Sequence, residues 1–253
     1  MSYTPGRVLA FDSGIGGLGV VQALRTTLPD DTLIDYLADN ALFPYGEQED
    51  SLLVARIVAL MEERITSLCP DVVLIACNTA STLALDALRA RFEVPFVGCV
   101  PPIRWAARIS ETRVFGLLAT RSTARRPYLR SLRDSYASDC EMIVHGARTL
   151  ADLAEQAFLG HAIDDTLVAK ELRHLFDAPM GDRIDTIGLG CTHYTFLTDA
   201  FLRVCLRGST GSTRQSLLPS RSIVFWNQDA PDQTATIVLK LWHSLVLRPT
   251  QSP

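Results

Sequence analysis

The hydrophobic positions of this chain fall into short continuous runs separated by amphipathic stretches. Two of the runs, VVLIACNTAS (72–81) and DTIGLGCTHY (185–194), are apolar and each reaches a cysteine. A continuous apolar run of this length is typical of a strand that is buried in a parallel sheet. Ligands of open α/β sheets bind beyond the carboxyl ends of the strands, so Cys77 and Cys191 stand where chemistry is expected.

The rest of the pattern predicts alternating strands and helices, hence an α/β fold with mostly parallel sheets. Further strands are expected at residues 7–14, 32–38, 94–100, 113–120, 141–145 and 222–226. Helices are expected up to about residue 28, at 51–68, up to about 92, after the proline pair 101–102, at 150–159, at 164–176, up to 206 and at 232–247. Loops are expected at 39–50 and at 207–220, where the sequence is polar and rich in glycine and serine.

The pattern of the first half of the chain recurs in the second half. The run RVLAFDS (7–13) resembles RVFGLLAT (113–120), and a strand ending in cysteine follows each of them. Repeated strand–helix units indicate two related α/β lobes. We assign residues 1–97 and about 208–253 to the first lobe, and residues 98–207 to the second. Strand ends that face each other would set two thiols on opposite sides of one small ligand.

Composition narrows the class of protein. The chain has 253 residues, of which 47% are hydrophobic, and can therefore bury a full core. Its formal net charge of −4 argues against nucleic acid or an anionic membrane as a partner. No apolar run approaches the roughly 20 residues that span a bilayer, and no secretory signal is evident. We expect a soluble, cytoplasmic protein.

The six cysteines show no C-x-x-C pair and no metal-like spacing with the five histidines. They are expected to be free thiols in a reducing compartment, with no metal site. Four of them are interpreted as packing residues: Cys69, Cys99, Cys140 and Cys205. The other two differ, because each closes a strand and precedes polar residues, Asn78-Thr79 in one case and Thr192-His193 in the other. A helix that starts there would favour the thiolate.

Three further features allow more than one interpretation. Asp12 is either a cap for the glycine-rich turn or a proton relay close to Cys77, and His193 is either a surface residue or a helper of Cys191. The run GIGGLG (14–19) matches the dinucleotide fingerprint G-x-G-x-x-G, with Asp35 and Asp39 about 20 residues further on. The charge of Asp12 beside a pyrophosphate disfavours that site, and a turn that binds a smaller anion fits better.

Five segments together resemble glutamate racemase, of the cofactor-independent aspartate/glutamate racemase family. They are FDSGIGGL (11–18), PYG (44–46), ACNTAS (76–81), TRST (120–123) and GCTHY (190–194). The resemblance covers residues 7 to about 206. It implies two pseudo-symmetric lobes with the substrate between them, and racemisation without metal, pyridoxal phosphate or nucleotide.

The resemblance also implies roles for particular residues. Cys77 is expected to act on D-glutamate with Asp12 nearby, and Cys191 on L-glutamate with His193 nearby. The carboxylate that the family places on a later helix corresponds to Glu155, within the divergent segment 145–156. The positions that match substrate-contacting residues are Ser13, Pro44, Tyr45, Gly46, Asn78, Thr79, Thr120, Thr123 and Thr192.

The resemblance implies that the product, D-glutamate, serves cell-wall peptidoglycan, and a homodimer is a further expectation. Three alternatives stay open at this point. One is an aspartate or related amino-acid racemase of the same fold. The second is an NAD-linked oxidoreductase, which rests on the glycine run alone. The third is an amino-acid-binding protein without catalytic activity.

Overall fold

The computed structural model describes residues 6–207 and 222–224. The chain divides into two compact units, with one boundary between Cys99 and Val100. Each unit contains a parallel sheet whose strands are connected by helices, as an α/β fold requires. Within the described ranges, no helix is both long enough and apolar enough to cross a membrane.

The first unit alternates strands and helices from its start. Its elements are β1 (Arg7–Asp12), α1 (Leu18–Thr27), β2 (Leu33–Ala38), 3₁₀ turns at Asn40–Leu42 and Tyr45–Glu47, α2 (Asp50–Leu68), β3 (Val72–Ile75), α3 (Asn78–Arg91) and β4 (Phe96–Gly98).

The second unit repeats this alternation. Its elements are α4 (Ile103–Ile109), β5 (Val114–Thr120), α5 (Arg121–Ala124), α6 (Pro127–Tyr136), β6 (Glu141–Ala147), α7 (Leu150–Phe158), α8 (Asp165–Phe176), a 3₁₀ turn at Gly181–Arg183, β7 (Thr186–Gly190), a 3₁₀ helix at Thr192–Leu197, α9 (Thr198–Arg207) and β8 (Ser222–Val224).

The two sheets have the same strand order. It is β2-β1-β3-β4 in the first unit and β6-β5-β7-β8 in the second, and all the pairings are parallel. Phe11 lies opposite Ile75 in the first sheet, and Ala119 lies opposite Gly190 in the second. The internal repeat expected from the sequence is therefore present in the topology. Cys77 and Cys191 follow β3 and β7, the corresponding central strands.

Local sequence explains why the first unit packs as it does. Every residue of β3 is buried, which fits its continuous apolar run. Helix α2 begins where the Glu49 side chain accepts hydrogen bonds from two backbone N–H groups of the first turn. Its positions Leu53, Ile57 and Met61 recur at helical spacing and are fully buried in the core. Burying each such side chain contributes about 1.5–3 kcal/mol.

The second unit has its own core. Phe115 and Leu117 of β5 pack with Ile103 of α4 and Leu129 of α6. Helix α6 was not expected from the sequence, because few of its residues are apolar and its composition is strongly polar. In the structure, Leu129 is its buried residue. The proline in the first turn of α6 was the one feature of the sequence that could have indicated the start of a helix.

One strand of the C-terminal segment lies in the other sheet from the one expected. We assigned residues from about 208 to 253 to the first lobe, but β8 (Ser222–Val224) pairs with β7 in the second sheet, Ile223 lying opposite Ile187. The physical reason is that β7 offers a free parallel edge to an apolar strand. For the rest of the segment the assignment stays a prediction. The loop predicted at 207–220 lies outside the described residues from residue 208 on, and so does the helix predicted at 232–247. The last two residues of the strand predicted at 222–226 also lie outside them.

Candidate active site

Cys77 lies between the end of β3 and the start of α3. It is the N-cap of α3, and its Sγ accepts a hydrogen bond from the backbone N–H of Ala80 at 3.5 Å. The residue is only 4% exposed. Unpaired N–H groups at a helix N-terminus stabilise negative charge, so this position favours a thiolate. The expected placement of Cys77 at a helix start is confirmed.

Asp12 and Ser13 lie beside this thiol at the end of β1. The buried carboxylate of Asp12 accepts a hydrogen bond from the backbone N–H of Gly14 at 3.1 Å, so it does cap the turn. The Ser13 hydroxyl lies 3.5 Å from Asp12 Oδ1 and 3.6 Å from Cys77 Sγ. Ser13 therefore connects the carboxylate to the thiol, and capping does not exclude a part for Asp12 in proton transfer.

Close packing explains one glycine of the run, Gly17. A Cβ atom on Gly17 would lie 2.9 Å from Cβ of Asp12 and 3.0 Å from Cβ of Ala76. The Gly14 carbonyl accepts a hydrogen bond from the Tyr36 hydroxyl at 2.6 Å, and the Gly14 N–H is bound to Asp12. These contacts engage the backbone of the turn internally, which disfavours a pyrophosphate site.

Pro44 precedes the 3₁₀ turn Tyr45–Glu47, in which Tyr45 and Gly46 are buried. The Tyr45 hydroxyl donates to Asp39 Oδ2 at 2.7 Å, and Arg56 donates to both oxygens of Asp39, at 2.7 and 3.1 Å. Burial raises the pKa of Tyr45, and the Asp39 carboxylate raises this pKa further. Burial also acts to raise the pKa of Asp39, but the bonds from Arg56 and Tyr45 outweigh it and hold that pKa below its usual value.

Asn78 carries the clearest sign of a ligand in the first unit. The residue is 1% exposed, yet neither its side-chain nitrogen nor its side-chain oxygen has a hydrogen-bond partner among the described residues. A buried amide left without partners costs about 1–3 kcal/mol per group, and such groups are rare. Asn78 and the buried Thr79 open α3 directly after Cys77, so a polar ligand beside the thiol would satisfy this amide.

Cys191 occupies the corresponding position in the second unit, with one difference. It follows β7 and is 7% exposed, but the helix after it is the 3₁₀ helix Thr192–Leu197, and its side chain makes no cap. The expected α-helix, α9, begins only at Thr198. The Tyr194 hydroxyl anchors the 3₁₀ segment to the Ala119 carbonyl of β5 at 3.2 Å. The helix-terminus argument therefore applies to Cys77 and not to Cys191.

Two threonines lie at the same edge of the second sheet as Cys191. Thr120 ends β5, one residue beyond the Ala119–Gly190 pair, and is therefore level with Cys191. Its hydroxyl oxygen accepts from the backbone N–H of Thr123 at 3.2 Å, and the two hydroxyls are 3.1 Å apart. Both residues are buried and present hydroxyl groups at the end of the strand.

His193 is buried, so the surface interpretation is wrong. Its Nε2 lies 3.1 Å from Oε1 of Glu155 on α7. The carboxylate fixes the orientation of the imidazole two residues after Cys191. Glu155, proposed from an uncertain stretch of sequence, thus joins the second group of residues.

The structure brings the predicted site residues together as two groups, one in each unit. The first comprises Asp12, Ser13, Pro44, Tyr45, Gly46, Cys77, Asn78 and Thr79. The second comprises Thr120, Thr123, Glu155, Cys191, Thr192 and His193. Sequence reasoning missed the Asp39–Arg56 pair behind Tyr45. In the sequence, this pair was indicated only by the position of Asp39 directly after β2. Asp39 was considered there as part of a dinucleotide site.

Comparison with known proteins gives a consistent result. The family described as Asp/Glu/Hydantoin racemase matches residues 19–205. The chain is 51% identical to the glutamate racemase of Granulibacter bethesdensis over 194 residues, covering 77% of this chain and 69% of that protein. It is 44% identical to the glutamate racemase of Brucella anthropi over 198 residues, covering 78% and 71%.

Among solved structures, Escherichia coli glutamate racemase in complex with L-glutamate and the activator UDP-MurNAc-Ala matches with a TM-score of 0.78. The sequence identity is 33%, and the match covers 99% of this chain and 85% of that one. An aspartate racemase from Picrophilus torridus, at 14% identity and a TM-score of 0.54, shares the fold alone.

Proposed function

Because this chain belongs to the Asp/Glu/Hydantoin racemase family, we propose that it is an isomerase that interconverts L- and D-glutamate. The observation that carries the proposal is the repeated position of the two thiols. Cys77 and Cys191 follow corresponding strands in sheets of identical order, and each lies beside buried polar groups. Two acid–base groups, one for each face of the substrate, allow a proton to be removed from one face of a carbon and delivered to the other.

In the proposed direction from L to D, the Cys191 thiolate removes the α-proton of L-glutamate. The electron pair left on the α-carbon is delocalised into the adjacent carboxylate. The Cys77 thiol then delivers its proton to the opposite face, which yields D-glutamate and leaves Cys77 as the thiolate. The reverse reaction exchanges the two roles, and solvent restores the starting protonation.

Neighbouring groups assist each thiol in this proposal. The N-terminus of α3 supports the thiolate of Cys77. Asp12, which Ser13 connects to the thiol, accepts or relays its proton. His193, held by Glu155, assists Cys191. We assign the binding of the substrate's charged groups to the buried amide of Asn78 and to the hydroxyls of Thr79, Thr120, Thr123 and Thr192. Fixed polar groups in a water-poor site stabilise charge that develops during the reaction.

The proposal extends to the setting of the reaction. The chemistry is drawn from the chain's own side chains, without pyridoxal phosphate, nucleotide or a catalytic metal. We propose a cytoplasmic enzyme whose small-molecule partner is glutamate and whose product serves peptidoglycan synthesis. A homodimer stays a prediction, which light scattering of the purified chain tests.

The three alternatives are each disfavoured by a specific observation. The oxidoreductase hypothesis rests on a glycine turn whose backbone is already engaged by Asp12 and Tyr36. The hypothesis of a binding protein without activity does not explain why two buried thiols occupy corresponding strand ends in the two units. Aspartate as substrate is disfavoured because the curated relatives at 51% and 44% identity are glutamate racemases.

Circular dichroism of L-glutamate tests the proposal. The purified full chain, treated with a chelator and given no cofactor, is expected to drive the signal to zero, and L-aspartate is expected to change far more slowly. A stable glutamate signal would contradict the proposal. An aspartate signal that decays faster than that of glutamate would favour the aspartate alternative.

A further inference from the structure

Three side chains with metal-binding chemistry lie together in the second unit, and none of them belongs to the proposed catalytic groups. They are His145 on β6, and Glu171 and His174 on α8. One nitrogen from each histidine and one carboxylate oxygen all lie within 4.8 Å of one another. No metal site was expected from the sequence, because the spacing of the histidines and cysteines shows no metal-binding pattern and gives no indication of Glu171 as a partner.

The carboxylate of Glu171 is held in a fixed orientation. Its Oε1 accepts hydrogen bonds from the Thr149 hydroxyl at 2.7 Å, from the Thr149 N–H at 3.2 Å and from the Arg148 N–H at 3.3 Å. Its Oε2 lies 2.6 Å from Nε2 of His145. Hydrogen bonds that orient a ligating carboxylate in this way are the usual support of a metal site.

The imidazole rings of the two histidines stack on each other. The rings of His145 and His174 are stacked, with their centroids 4.4 Å apart and their planes 19° from parallel. Glu171 and His174 are three residues apart on α8, a spacing that places both on one face of the helix. His174 is exposed while Glu171 is only 7% exposed, so the cluster has a buried floor and an open side toward solvent.

We propose that His145, Glu171 and His174 bind one divalent transition-metal ion of the Zn²⁺ type. Two imidazole nitrogens and one carboxylate oxygen form a ligand set that suits zinc, with water in the remaining position. Calcium and magnesium prefer oxygen ligands alone and do not match it. The ion would replace the direct His145–Glu171 contact and connect β6 to α8. This proposal does not rest on the racemase assignment.

Zinc chloride titrated into the full chain by calorimetry, after removal of metals with a chelator, tests the site. We expect a zinc-binding event that His174→Ala weakens roughly 100-fold or more, since loss of an outer supporting group alone costs about 10- to 100-fold. Because His174 is exposed, this variant is expected to fold and to keep its racemase activity. The matched control is His161→Ala, which removes an exposed histidine outside the cluster.

Zinc also binds thiolates, so the ligand type needs its own readout. Cobalt(II) added in place of zinc is expected to give the absorption of a nitrogen–oxygen site, without the intense charge-transfer band of thiolate ligation. Glu171→Gln, which keeps an oxygen for Thr149 but removes the charge, is expected to weaken binding as well. Zinc binding that is equally tight in the wild type and both variants, or a cobalt spectrum with thiolate bands at the affected site, would overturn the proposal.

Discussion

Oε1 of Glu155 lies 3.1 Å from Nε2 of His193, although the two residues are 38 positions apart. The contact joins α7 to the 3₁₀ helix that follows Cys191. His193 is buried, so the carboxylate determines which way the imidazole points and which of its nitrogens carries a proton. Glu155 is thus a positioning residue for the helper of the second thiol.

Replacing Glu155 with glutamine keeps a hydrogen-bonding group and removes the charge. We expect kcat/KM to fall about tenfold, less than the roughly 100-fold or more that follows loss of a proton-transfer group itself. L- and D-glutamate have equal free energy, so the loss must be the same in both directions. Glu141→Gln, at an exposed position of the same unit, is the control. Unchanged kinetics in Glu155→Gln would contradict the positioning role.

The thiols themselves give the largest expected effect. Cys77→Ser and Cys191→Ser are each expected to lower racemisation by roughly 100- to 10,000-fold, because a hydroxyl is far less acidic than a thiol. The exposed Cys69 supplies the control, and Cys69→Ser is expected to retain activity. Near-normal rates in either active-site variant, with unfolding curves matching the wild type, would refute the two-thiol assignment.

The two thiols have different helpers, and this asymmetry is measurable. Elimination of a leaving group from the β-carbon of a glutamate analogue needs only one base, so no equilibrium constraint ties the two enantiomers together. Asp12→Asn is expected to slow elimination from the D-analogue more than from the L-analogue, and His193→Asn the reverse. Equal impairment of both enantiomers by both variants would show that Asp12 is not paired with Cys77, nor His193 with Cys191.

Asp185 makes stability depend on pH. Burial opposes ionisation, but hydrogen bonds from the N–H groups of Thr112 and Glu111 and from the Ser110 hydroxyl hold the pKa of Asp185 below its usual value. A group with a lowered pKa in the folded state stabilises above its unfolded pKa, about 3.9, and the contribution disappears as pH falls through the folded value.

We therefore expect Asp185→Asn to lower the free energy of unfolding by about 1–2 kcal/mol at pH 7, as a charged hydrogen bond becomes neutral. The difference from the wild type should stay constant down to about pH 5 and shrink below about pH 4. Urea titrations across this range measure it. The exposed Asp182, replaced by asparagine, is the control. A difference that grows on acidification would contradict the sign of the pKa shift.

The sequence was most informative where structure depends on local pattern. The buried strands β3 and β7 were predictable because their apolar runs are continuous, and so was the position of each cysteine at a strand end. The polar composition of α6 concealed a helix. The 3₁₀ segment after Cys191 was also hidden, because the Tyr194–Ala119 bond that anchors it joins residues 75 positions apart.

Side-chain pairs distant in sequence were the part that could not be predicted. The bonds from Arg56 to Asp39, and from His145 to Glu171, depend on which helix packs on which strand. The periodicity of apolar residues indicates which face of a helix or strand is buried. It does not indicate which other helix or strand packs against that face. Asn78 could be named as a site residue from a motif. That its buried amide has no hydrogen-bond partner among the described residues could be seen only in the three-dimensional structure.

Deuterium incorporation during the first turnovers tests the two-thiol account most directly. Each thiol exchanges its proton with solvent, so in D₂O the donating thiol carries deuterium while the α-hydrogen of L-glutamate leaves to the other one. The account predicts that the first D-glutamate formed carries deuterium at its α-carbon, while unreacted L-glutamate still carries hydrogen. D-glutamate that retains the original α-hydrogen would indicate a single base serving both faces, and would contradict the account.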